Sequence, residues 1–148
     1  MLIKQISVFV ENQPGRLSRL TRTLAQNDIS IIAISISDTV DFGILRCLVD
    51  DPDKAERVLK ESGFTASMTR VLAVELEDVP GGLADVLDEL SAAEINVAYV
   101  YSFTRTRRGK ALILFKVDDS EKAVAALQKK DVRILCMQDI EKEFEQAL

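Results

Sequence analysis

The chain has 148 residues, 47% apolar and 29% charged, with a net charge of −5, a pI near 4.8 and no histidine. That removes Ser-His-Asp and Cys-His nucleophile pairs and every His-ligated metal site, and an acidic chain meets phosphate backbones broadly only through a clustered basic patch. Cys47 and Cys136 stand 89 positions apart with no CxxC spacing, which excludes a structural zinc site and fits a reducing compartment better than a disulfide framework.

The opening residues, Met1-Leu2-Ile3-Lys4-Gln5-Ile6, contain no basic n-region and no apolar h-region, so no signal peptide is expected. Ile6, Val8 and Val10 alternate as in a strand. Asn12-Gln13-Pro14-Gly15 follows, and Pro suits a first helical turn. Leu17, Leu20 and Leu24 recur at helical spacing until Asn27-Asp28 ends the helix. Ile29 to Ser37 is β-branched and reads as a second strand, with Ile29 and Ile31 on one face and Ile32, Ile34 and Ile36 on the other. Asp38 to Phe42 reads as a turn, and Gly43 to Asp50 as a third strand that buries Cys47. Asp51-Pro52-Asp53 starts a second helix with Ala55, Val58 and Leu59 inward. Gly63 closes it, and Phe64 to Thr69 is a fourth strand.

The chain is then written again. Ser7 to Leu17 aligns with Ala73 to Leu83, placing Pro14-Gly15 over Pro80-Gly81 at an offset of 66 positions. The same offset carries Leu20 to Val86, Leu24 to Leu90, Ile29 to Ile95, Ile31 to Val97 and Gly43 to Gly109. Beyond it the offset is 68, matching Asp51, Lys54, Ala55 and Leu59 to Asp119, Lys122, Ala123 and Leu127. Two βαββαβ units are therefore expected, 1–68 and 69–148, without a Gly- or Pro-rich linker. This order is the ferredoxin-like arrangement, an antiparallel sheet with two helices on one face. Units of about 70 residues bury only about 60% of their unfolded surface, so the units are expected to pack on one another or on another chain.

In the second copy Tyr99, Tyr101 and Phe103 form an aromatic stripe, read as core or interface. Arg105, Arg107, Arg108 and Lys110 cluster at a hairpin and read as a solvated tip. Arg16, Arg19 and Arg22 share a helix face, with Arg19 and Arg22 toward solvent. Cys136 reads as structural. The tail from Asp139, with Ile140 and Phe144 four apart, reads as a short docking helix or a dimer contact.

With this element order, Asn12-Gln13-Pro14-Gly15-Arg16-Leu17 and Ile29-Ser30-Ile31, and again Asp78-Val79-Pro80-Gly81-Gly82-Leu83 and Ile95-Asn96-Val97, the whole chain resembles a tandem pair from the ACT-domain family. The resemblance implies a stand-alone regulatory module that binds an amino acid between paired domains, as a homodimer or an intramolecular pair, and signals to an unidentified regulated protein. The residues it implicates are Asn12, Gln13, Pro14, Gly15, Arg16, Leu17, Ser30 and Ile31, with Val79, Pro80, Gly81, Gly82, Leu83, Asn96 and Val97.

Physical chemistry supports that choice. A helix N-terminus offers backbone N–H groups and partial positive charge to an α-carboxylate, and Gly15 and Gly81 let a ligand approach the backbone. Arg16 suits a two-pronged carboxylate clamp, whereas Gly82 gives its loop a more open form, so the two half-sites are expected to differ. Ser30 and Asn96 would reach the amino group or side chain.

No cofactor, metal or catalytic group is expected. Glu11, Glu75, Glu77 and Asp78 lie near loop ends but meet no nucleophile and base. An RNA-binding sheet would need aromatics in a basic-Gly-aromatic pattern, which isolated Phe9 and Phe115 do not supply. A ligand-free assembly module is the alternative. The apolar run Ala111 to Phe115 is too short for a bilayer, and a soluble, cytoplasmic protein is expected.

Overall fold

The protein is described by a computed structural model covering residues 2–38, 41–105 and 109–145. Its elements are β1 (Ile3–Glu11), α1 (Arg16–Gln26), β2 (Ile31–Asp38), β3 (Phe42–Val49), α2 (Pro52–Glu61), β4 (Thr65–Glu77), α3 (Gly82–Ala92), β5 (Val97–Arg105), β6 (Lys110–Val117), α4 (Ser120–Gln128), β7 (Arg133–Leu135) and α5 (Met137–Glu145). The chain divides into an N-terminal unit, Lys4–Thr69, and a C-terminal unit, Arg70–Leu148 together with Met1–Ile3. No linker intervenes, because β4 runs through the boundary.

In the N-terminal unit the strand order is β2-β3-β1-β4, and β3 is antiparallel to both β1 and β2. Ile6 and Val8 stand opposite Cys47 and Leu45, and this face is roofed by Leu20 and Leu24 of α1 and Ala55, Val58 and Leu59 of α2. The other face is not wholly polar. Phe9, opposite Ile44, stacks on Phe42 with ring centroids 4.5 Å apart. Phe9 is thus not isolated, contrary to the sequence reading, but it has an aromatic neighbour rather than the basic-Gly-aromatic setting of an RNA-binding strand.

The C-terminal unit repeats the pattern, with β7-β4-β6-β5 as its order. Leu72, Val74 and Leu76 meet Val86, Leu90, Ala123 and Leu127 around Phe115, which is fully buried. The repeat extends to fine detail. Left-handed backbone occurs at Asp28 and Glu94, at Gly63 and Asp131, and at Gly15 and Gly81. Each pair keeps the offset of its segment.

Bulges alter the strand faces read from alternation. In β2 the register shifts between Ile31 and Ala33, so Ile31 faces Val49 while Ile34 and Ile36 face Cys47 and Leu45, all on the helix side. Ile31 and Ile34 therefore do not lie on opposite faces, because one extra residue reverses the alternation. In β5, shifts at Val97/Tyr99 and Ser102/Thr104 interrupt the aromatic stripe. Tyr99 and Tyr101 still pair, with centroids 6.5 Å apart. Thr39 and Val40 of the first hairpin, and Arg107 and Arg108 of the basic cluster, lie outside the described residues, as do the side chains of Arg105 and Phe144.

The tail forms α5, and Ile140 within it is fully buried. Asp139 fastens its start, accepting from Cys136 N at 2.9 Å and Cys136 Sγ at 3.0 Å. Those bonds hold the Asp139 carboxyl below its ordinary value, the Cys136 thiol contributing most. A carboxyl so depressed favours the fold above the usual carboxylate range, and that contribution fades as acid protonates it.

Cys47 is 1% exposed, and burial pushes its thiol up to about 12. The fold thus favours its protonated form, a contribution complete below the ordinary thiol pKa and lost as pH climbs toward 12. Cys136 is half-buried. An aromatic disulfide reagent at pH 8 is expected to titrate one thiol in the folded chain and the second only with denaturant. Rapid reaction of both in the folded chain would contradict this packing.

Candidate functional site at the strand-to-helix loops

Each unit turns from its first strand into its first helix through a Pro-Gly loop. Gly15 and Gly81 end the two loops with φ of +86° and +95°, and no atom lies within 4 Å of a Cβ built on either. Both are required for conformation, not for space. The loops are tied to hairpin ends, where Asn12 N donates to Asp41 O at 3.0 Å and Asp78 N to Gly109 O at 2.9 Å.

The helices that follow differ from the other pair. α2 and α4 are capped by Asp51 and Asp119, whose carboxylates accept from the backbone N of Lys54 and Lys122, both at 3.0 Å. α1 and α3 start on glycine with no side-chain cap. Arg16 N and Gly82 N turn back to Gln13 O at 3.3 Å and Val79 O at 3.0 Å, so the N–H groups of the next residues, Leu17 and Ser18 in α1 and Leu83 and Ala84 in α3, are the ones a ligand oxygen can take.

Beside the first loop is a cleft of about 130 Å³ lined by Val10, Glu11, Asn12, Gln13, Leu17, Ile36 and Gly43. It gathers three of the predicted residues, Asn12, Gln13 and Leu17, and adds Ile36 and Gly43. Gly43 is a close-approach glycine, since a Cβ there would come within 3.0 Å of Ile36 Cγ2. Its match to Gly109 was visible in the repeat; its place against β2 was not. Leu17, Ile34 and Ile36 are 40%, 46% and 44% exposed. Pro14 and Gly15 are exposed, as are Val79, Pro80, Gly81 and Leu83 around the second loop.

Ser30 and Asn96 do not join these loops within their own units. Ser30 N donates to Asp50 Oδ1 at 3.0 Å and Asn96 N to Asp118 Oδ1 at 3.1 Å. These clasps sit where β3 and β6 end, whereas the loops sit where β3 and β6 begin. Ile31 and Val97 start β2 and β5 at the same far end, opposite Val49 and Val117. From Phe42 to Val49 the strand rise is about 24 Å. Within one unit, therefore, neither Ser30 nor Asn96 reaches the strand-to-helix loop.

The residues after the two glycines differ, though not as the sequence suggests. Arg16 Nη2 is engaged with Glu11 Oε2 at 3.1 Å, so a carboxylate ligand would compete with Glu11. Gly82 does not open its loop. A Cβ there would fall 2.1 Å from the Glu77 carbonyl oxygen, so the glycine serves close packing of α3 on the end of β4. Arg19 is not simply solvent-facing. Its guanidinium donates to the Ser62 carbonyl and lies 4.8 Å over the Phe64 ring, closing the end of α2.

The C-terminal unit has a larger cleft of about 360 Å³ on the other flank of α3, lined in part by Val79, Gly82, Asp85, Val86, Asp131 and Val132. Lys110 pairs with Glu77 there, and Arg133 with Glu75 at 3.3 Å. Among the described residues there is no group of three or more His, Cys, Asp or Glu side chains able to hold a metal ion, and no helix long and apolar enough to cross a membrane.

Two ferredoxin-like units, each with a glycine-started first helix, define a tandem ferredoxin-like fold. The ACT domain pair family matches residues 1–143, and the chain belongs to that family. Among solved structures it is similar to protein BT0572 from Bacteroides thetaiotaomicron, with 38% identity over 95% of this chain and 96% of that one and a TM-score of 0.88. It also resembles the ligand-free regulatory subunit of aspartate kinase from Thermus thermophilus, at 17% identity, 86% and 93% coverage and a TM-score of 0.63. The corresponding subunit from Thermus flavus gives 16% identity, 85% and 90% coverage and 0.61. At such identities the two kinase subunits share the fold. No curated protein matches the chain.

Proposed function

We propose that this ACT domain pair is a non-catalytic sensor that binds an amino acid at its strand-to-helix loops. The carrying observation is the contrast in capping. α2 and α4 have aspartate caps, whereas α1 and α3 begin on left-handed glycines with no side-chain cap. An α-carboxylate supplies the missing acceptor. Asn12 and Gln13 then offer amide donors and acceptors to the rest of the ligand, and Arg16 exchanges Glu11 for the carboxylate. The first cleft, at about 130 Å³, is smaller than the ~300–1,000 Å³ of self-sufficient ligand pockets. The ligand is therefore enclosed only when another ACT unit covers the loop, and that closure is the signal read by a regulated protein. The identity of the neighbouring kinase subunits, regulatory by their description, agrees with this reading.

The exposed Leu17, Ile34 and Ile36 favour one second reading, assembly without ligand. Thermal denaturation with each of the twenty amino acids separates the two. At 100 times Kd a bound amino acid stabilises by about 2.7 kcal/mol, which raises Tm by roughly 5–10 °C. One or two amino acids are expected to do so. A flat response to all twenty at millimolar concentration would leave assembly alone.

A further inference from the structure

The two units fill one place differently. Arg19 in α1 and Asp85 in α3 are equivalent, each donating its backbone N to the glycine that starts its helix, Gly15 O or Gly81 O, at 2.9 Å. The chain that returns past them is equivalent too, since Phe64 N bonds Leu59 O as Val132 N bonds Leu127 O. In the N-terminal unit this place holds a cation. The Arg19 guanidinium is bound by the Ser62 carbonyl and lies over Phe64. Arginine in the first turn opposes the helix dipole, so this contact is what supports it. In the C-terminal unit the two large side chains that meet at this place become smaller ones: Arg19 is replaced by Asp85 and Phe64 by Val132. The cleft of about 360 Å³ opens where they would stand.

We propose that this cleft binds the guanidinium or primary ammonium group of a small molecule, which supplies in trans the cation that Arg19 supplies within its own unit. Val86 and Val132 line an apolar wall for an alkyl stem, as Phe64 receives Arg19. Asp85 and Asp131 supply carboxylates at the mouth, while Glu75 and Glu77 are engaged by Arg133 and Lys110. The helix-end carbonyl of Lys130 corresponds to that of Ser62. A charge-assisted bond to a carboxylate is the stronger kind of hydrogen bond, and its exposed setting makes it sensitive to salt. The cleft shares Val79 and Gly82 with the loop proposed above, yet the inference does not rest on that reading.

Agmatine tests it, because it carries a guanidinium, an alkyl stem and an ammonium but no carboxylate to seek the glycine-started helices. Titrated into the whole 15N-labelled chain at low salt, it is expected to shift the amides of Asp85, Val86, Asp131 and Val132 in a saturable way, and binding is expected to weaken in salt. Asp85→Asn should weaken binding about tenfold. Asp85→Arg should abolish it. If Asp85→Arg does not fold, Asp85→Asn decides. No shift of these amides at millimolar agmatine, or equal binding by wild type and Asp85→Asn, would overturn the proposal. Amino acids binding at the loops while agmatine does not would leave the loop reading intact.

Discussion

Replacing Gly82 by alanine is expected to destabilise the protein by about 3 kcal/mol, the upper range for forcing extra volume into a packed site, and to lower Tm by roughly 6–12 °C. The new methyl would meet the Glu77 carbonyl oxygen at 2.1 Å and its carbon at 3.2 Å. That neighbour is backbone and cannot rotate away. The loop cannot lengthen freely either, since Asp78 N is bonded to Gly109 O at 2.9 Å and Gly82 N to Val79 O at 3.0 Å. Gly15→Ala is the internal control. It places a Cβ in open space at φ +86° and carries only the left-handed penalty of about 1–2 kcal/mol. The order of the two variants, measured by chemical denaturation, is the check. A Gly82→Ala protein as stable as Gly15→Ala would mean that α3 does not seat on β4 as described.

Phe115→Ala should cost more, about 3–5 kcal/mol. Phe115 is the largest of the fully buried side chains. It stands on β6 between Leu72 of β4 and Val100 of β5, and it belongs to the cluster closed by Leu90 of α3 and Leu127 of α4. Most of that cluster is anchored in the sheet and two helices, so the void closes only in part. Hydrogen exchange is the informative readout. Amides of β4 after Arg70, of β5 and of β6 should lose protection by the full measured loss of stability. Retained protection there would place Phe115 outside the core of its unit.

Much of this architecture was legible because it is written twice. A single Pro-Gly is ordinary turn chemistry, but Pro14-Gly15 and Pro80-Gly81 occur in register with matching apolar positions, and both glycines adopt the left-handed conformation. The Asp51 and Asp119 caps follow the same logic, at the second offset. Less was legible at the site. The bulges in β2 and β5 follow from register against a partner strand, which alternation along one strand does not encode. Ser30 lies beside Ile31 in sequence, yet a strand separates it from Asn12. Gly82 looks like freedom in sequence and is a close contact in the fold, because its neighbour is a carbonyl five residues earlier. Arg19 looks like a solvated helix residue because Ser62 and Phe64, which engage it, are more than forty positions away.

The central claim is that the uncapped starts of α1 and α3 receive an amino acid carboxylate. Its most direct test is the backbone amide spectrum of the 15N-labelled chain titrated with whichever amino acid raises Tm most, or with all twenty in pools. Saturable shifts are predicted at Gly15, Arg16 and Leu17 or at Gly81, Gly82 and Leu83, and the amino acid amide lacking the carboxylate should fail to produce them. Saturable binding that leaves all six of these amides unmoved, or equal shifts from the amide, would contradict it.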